Sequence, residues 1–206
     1  MKGSDIGSYT SPLVLIKDTP IQRKRPLKGK SYPAPCKVSA KSFNILTIGV
    51  RTLPVRARFA FISQPAYRVF DDAAFKGRQR SFWKPVLKRK LPIYIVSPFF
   101  GLIWPGENIG TYKMVMEETF LMWRQQQLWR VVLELFENNK CDCVFSYLPP
   151  LYDNVVRVEN TPWYVFKPEQ FIEHEDILLK LSLNRYRNAS YKQKRECPHT
   201  TIYESE

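Results

Sequence analysis

Between Ser97 and Lys113 the chain gathers groups that together can do chemistry. Ser97 offers a hydroxyl, Glu107 a carboxylate, Asn108 an amide, Tyr112 a phenol and Lys113 a cation, while Gly101 and Gly106 allow close backbone approach. Ser97, Glu107 and Tyr112 are the candidate catalytic residues, since a carboxylate in a cleft can act as a general base or hold a ribose hydroxyl. With Arg51 and Tyr152 from neighbouring loops, the expected ligand-binding set is Arg51, Ser97, Gly101, Glu107, Asn108, Tyr112, Lys113 and Tyr152. Plainer roles stand beside these: Gly101 as a turn over Phe99 and Phe100, Glu107 as a cap on the Asn108 and Ile109 amides, and both tyrosines as half-buried aromatics. His174 lies among acids and His199 near the end of the chain, so neither is placed for a catalytic triad. The sequence has no Gly-x-x-x-x-Gly-Lys loop, no dinucleotide fingerprint and no Cys-x-x-Cys pair.

For these groups to meet, the segments before them must be strands that end at one edge of a sheet. Residues 44–50 form a short apolar, partly β-branched run that reads as a buried strand leading into Arg51-Thr52-Leu53. Residues 91–96 read as a second strand with Pro92 at its start, and residues 143–147 as a third, stopped by Pro149-Pro150. Residues 66–90 read as helix in two pieces broken at Gly77 and Pro85. Residues 117–139 read as one helix with Leu121, Leu128, Val132 and Leu135 on one face, and a last helix runs from 168 to 187. Strands alternating with helices predict an α/β domain: three layers, a mostly parallel sheet, and an extended basic N-terminal arm. In such a sheet, ligands bind beyond the carboxyl ends of the strands. The expected division is an arm over residues 1–42, the α/β domain over 43–190 and a polar tail over 191–206.

Charge is distributed unevenly. The chain has 206 residues with 32 Lys+Arg against 19 Asp+Glu, and residues 1–90 hold 20 of the bases but only 4 of the acids. Prolines at 12, 20, 26, 33 and 35 interrupt any helix in the arm, whose Arg23, Lys24 and Arg25 cluster between them. Together with Arg56, Arg58, Arg78, Arg80, Lys88, Arg89 and Lys90, interleaved with aromatics, they form a candidate phosphate-tracking surface, so nucleic acid is the expected partner. No apolar run reaches the roughly 18 residues a bilayer span needs. Leu13–Ile16, flanked by Pro12 and Lys17, is too short for a secretory core. A cytoplasmic location with no membrane partner is the expectation. The four cysteines (36, 141, 143 and 197) are too scattered for a disulfide framework, and their spacing suits buried thiols better than zinc ligands. No cofactor or metal is expected.

The stretch Ser97-Pro-Phe-Phe-Gly101-Leu102 through Pro105, Glu107, Ile109, Tyr112, Lys113 and Met116 resembles the signature of the YaaA peroxide-stress family. Residues 45–48 leading to Arg51-Thr52-Leu53 resemble that family's opening strand and turn, with Arg51 in place of lysine. Residues 151–156 resemble its tyrosine segment after the third strand. The resemblance covers roughly residues 43–157 and implies an α/β domain connected to nucleic acid and oxidative-stress protection. Two other functions remain open: an enzyme acting on a nucleobase or nucleotide in the cleft, or a structural subunit of a ribonucleoprotein or viral particle.

Overall fold

The computed structural model describes residues 11–18, 38–53, 64–70 and 79–189, with the side chains of 79–80 and 182–189 excepted. Its centre is a strand within the segment expected to be an extended arm. β1 (Pro12–Lys17) lies between β3 (Ile93–Ser97) and β6 (Cys143–Tyr147), parallel to both, with Val14 opposite Ile93 on one side and Phe145 on the other. Leu13, Val14, Leu15 and Ile16 are all buried. A short, continuous apolar run suits a parallel strand covered on both faces, and Pro12, at the strand's first residue, is where a missing N–H is tolerated. The expected arm over residues 1–42 is therefore corrected here, because residues 12–17 belong to the core. Residues 1–10 and 19–37, Gly77 and the expected tail over 191–206 lie outside the described residues.

The five-stranded sheet has the order β4-β3-β1-β6-β7. β4 (Gly101–Ile103) folds back antiparallel on β3, and β7 (Trp163–Val165) extends the parallel set beside β6. A separate two-stranded ribbon joins β2 (Gln64–Pro65) to β5 (Asn108–Ile109), so two of these short strands fall inside the expected loop at 97–112. The fold is α/β with a mostly parallel sheet.

Side-chain alternation divides the core into two layers. Val14, Ile16, Ile93, Ile95 and Phe145 face α3 (Gln79–Arg89) and α7 (Gln170–Ala189), which contribute Phe82, Trp83, Val86, Phe171 and Leu178. Leu13, Leu15, Tyr94, Val96 and Val144 face α4 (Met116–Gln125), α5 (Trp129–Asn138) and α6 (Pro150–Val156) through Trp123, Val131, Val132, Leu135, Val155 and Val156. The chain moves from β1 to β3 in one direction across the sheet and from β3 to β6 in the other. Of the helices in those two moves, α3 lies on one face and α4 and α5 on the other, as crossovers of a single hand require. The reversal leaves β1 between the strands of the two moves.

Residues 40–52 are helix, not strand. α1 (Ala40–Thr52) begins at Ser39, whose side chain accepts the Ser42 N–H. Glu134 of α5 then fastens this helix start, accepting from the Ser39 N–H, from Ser39 Oγ at 2.8 Å and from Ser42 Oγ. Phe43, Leu46 and Val50 recur at helical spacing, a period that the β-branched composition concealed. Gly49 meets α4 so closely that a Cβ there would fall 2.3 Å from the Trp123 ring. The single helix expected over 117–139 is two, α4 and α5, divided at Gln127, whose φ is +60°. Leu121, expected on the buried face, is exposed. The expected breaks within 66–90 are also revised: α2 (Ala66–Val69) is one turn, and α3 runs through Pro85.

Candidate functional site

The C-terminal tips of β1, β3 and β6 converge on one carboxylate. Asp18 follows β1 directly, and its N–H still pairs with the Val96 carbonyl at 3.0 Å, which fixes it to the end of β3. Its side chain is buried. Tyr112 donates its hydroxyl to Asp18 Oδ2, and Tyr152 donates to Oδ1 at 3.0 Å. Ser97, the last residue of β3, donates to the Tyr112 hydroxyl at 2.8 Å. Ser97 Oγ in turn accepts the N–H groups of Phe99 and Phe100 at 3.2 and 3.1 Å, which closes the turn into β4. The bonds run in one direction: backbone N–H to serine, serine to tyrosine, tyrosine to carboxylate, with the second tyrosine arriving from α6. A carboxylate that only accepts is the state this arrangement fits.

Packing holds each member in place. The Tyr112 ring stacks on Phe99 with centroids 5.4 Å apart and meets the edges of Phe100 and Phe70. Tyr152 is carried by α6, which starts directly after β6 with Pro149 and Pro150. It is half-buried, the member of the four most open to solvent. Desolvation pushes the Asp18 carboxyl up from 3.8 to about 6, although both tyrosine hydroxyls and Lys17 favour its anion. Burial and then the Asp18 charge push the Tyr112 and Tyr152 phenols up, so both stay protonated donors.

The expected ligand set therefore divides. Ser97, Tyr112 and Tyr152 meet at the strand tips. Arg51, Glu107 and Asn108 do not join them; they line a groove of about 400 Å³ between α1 and the β4–β5 region. Arg51 is carried there because its segment is a helix, ending at Thr52. Phe43 and Phe100 line the same groove, with Leu102 and Ile109 among its apolar residues. Phe100 also touches Tyr112, with centroids 5.4 Å apart, so the groove and the tip cluster are neighbours. Glu107 does not cap Asn108 and Ile109. Its carboxylate accepts the Trp104 N–H at 2.6 Å and its own N–H returns to the Trp104 carbonyl, making a tight turn. Desolvation by the surrounding protein pushes the Glu107 carboxyl up to about 7, while the solvent reaching this exposed residue works against that rise. Gly101 is a turn residue with φ +74°, set against Leu46 and Trp123. Lys113 is exposed and lines neither site.

Asp18 was missed. The signal for it is an acid immediately after a short apolar run, which the surrounding prolines and bases assign to the arm. A second buried acid, Asp153, is satisfied by Ser146 Oγ, Trp163 Nε1 and Arg157, so it ties α6 to β6 and β7. Of the expected phosphate-tracking residues, Lys88 and Lys90 are exposed and Arg89 is half-buried, at the end of α3. Arg80 lies on α3. Arg23, Lys24, Arg25, Arg56, Arg58 and Arg78 lie outside the described residues. Among the described residues, no cluster of His, Cys, Asp or Glu is fit to hold a metal ion, and no helix is long and apolar enough to cross a membrane.

Compared with protein-family models and with curated proteins, the chain matches none.

Proposed function

We propose that the protein acts on a nucleobase or nucleotide bound at the tips of β1, β3 and β6, with Asp18 as its acid–base group. One observation carries this reading: a buried carboxylate stands where the chain reverses direction across a parallel sheet, the place at which α/β folds bind ligands. A carboxylate near pH 6 exchanges protons readily at physiological pH. Tyr112 and Ser97 hold it from one side. Tyr152, the most open of the four, covers it from the other, so a ligand hydroxyl or ring N–H reaches Asp18 by taking the place of the Tyr152 hydroxyl. The resemblance to the YaaA family supports the same region, because the matching stretch runs from Ser97 through Tyr112. Residues 45–48, expected as the opening strand in that resemblance, are helical. Turnover of nucleosides and nucleotides, followed against pH, tests the proposal. The expected profile has a limb near pH 6 that Asp18→Asn abolishes; turnover unchanged in that variant would overturn the reading.

A second reading is association with nucleic acid, as the same family resemblance implies, including its link to oxidative-stress protection. It is favoured by Lys84 and Lys88, exposed one turn apart on α3, with Lys90 just beyond. Affinity for DNA or RNA that falls steeply as salt rises is the expected result. No binding at low salt would remove it.

A further inference from the structure

We propose that the groove between α1 and β4 holds a nucleoside monophosphate, with the base between Phe43 and Phe100, its N–H edge on Glu107 and its phosphate on Arg51. The groove is a second site beside the Asp18 centre, so this goes beyond that reading.

Four features of the groove point to such a ligand. Its volume, about 400 Å³, falls within the range of small-molecule sites. Its lining is mostly apolar and includes two phenylalanines, and aromatic faces stack on any base without regard to sequence. Arg51 and Glu107 line the same groove, and among the described residues neither forms an ion pair with the other or with a third group. They also reach it from different elements, one from the last turn of α1 and one from the turn before β5. An α-amino acid, whose two charges sit on one carbon, would need them to converge. A nucleotide places its donor edge and its anion at opposite ends. Arginine forks two N–H donors onto a phosphate, and a carboxylate accepts two adjacent N–H groups, as guanine presents. Glu107 keeps that capacity, because the Trp104 N–H occupies one of several acceptor positions. Phe100 touches both the groove and Tyr112, so a bound base lies beside the Asp18 cluster.

Calorimetric titration of the full chain with GMP, guanosine, CMP and phenylalanine tests this. The expected order is GMP tightest, guanosine weaker, CMP weaker still, and no heat from phenylalanine. Arg51→Ala removes the advantage of GMP over guanosine, a loss of about tenfold or more for a charge-assisted contact. Glu107→Gln narrows the gap between GMP and CMP. Asp18→Asn keeps GMP binding, because Asp18 does not line the groove, so failure of this proposal and failure of the Asp18 reading are read separately. Equal binding of GMP and guanosine by the unaltered protein, preference for phenylalanine, or Arg51→Ala weakening both purines alike would overturn the proposal.

Discussion

Replacing Asp18 by asparagine keeps the shape of the side chain and removes its charge, so the pH dependence of stability isolates what burying this carboxylate costs. The Asp18 pKa rises from 3.8 to about 6 on folding, so the native state holds its proton where the unfolded chain has released it. The contribution is fully present below about pH 4 and is lost as pH climbs through about 6. At 1.36 kcal/mol per pKa unit, the loss is about 3 kcal/mol. Urea unfolding of both proteins from pH 3 to 8 measures it. The stability of Asp18→Asn relative to the unaltered protein should rise by about 3 kcal/mol across that range, while other acids cancel in the comparison. The variant thus gains on the unaltered protein as pH rises towards neutral while losing activity, a trade expected of a group kept for function. A stability difference that stays constant with pH would refute the reasoning.

Tyr152→Phe removes one donor to the Asp18 anion, so the Asp18 carboxyl should move above 6, read as a further alkaline shift in its titration; a move towards 3.8 would contradict the sign. Gly49→Ala forces a Cβ to within 2.3 Å of the rigid Trp123 ring and should cost about 1–3 kcal/mol by thermal or urea unfolding. Glu134→Ala leaves the buried Ser42 hydroxyl and the Ser39 amide without their acceptor, for a loss of about 1–3 kcal/mol, and loosens α1 as measured by amide exchange over residues 40–52.

What could be read in advance followed from local signals. β3 and β6 were legible because each is a buried apolar run bounded by proline or loop residues. β1 has the same texture, but its neighbourhood of prolines and bases suggested an arm, and strand identity there depends on two partners distant in sequence. α1 was misread because Thr47, Ile48 and Val50 favour strands locally. Its helical state is set by the Ser39 cap and by Glu134 and Trp123, all outside the run itself. The break between α4 and α5 at Gln127 carries no glycine or proline to announce it. The same logic divides the site. Ser97 and Tyr152 were legible as polar groups just after strands, and Tyr112 as a phenol in a long loop. Asp18 was lost with β1, and Arg51 was placed at a strand tip that is the end of a helix.

Asp18, at the tip of the middle strand, is a buried titrating group held between Tyr112 and Tyr152. Carboxyl ¹³C NMR of aspartate-labelled protein, with Asp18 assigned by its loss in Asp18→Asn, reads that ionisation directly. A midpoint near 6 is the predicted result; a midpoint near the ordinary 3.8 would mean a solvated side chain and would contradict the account.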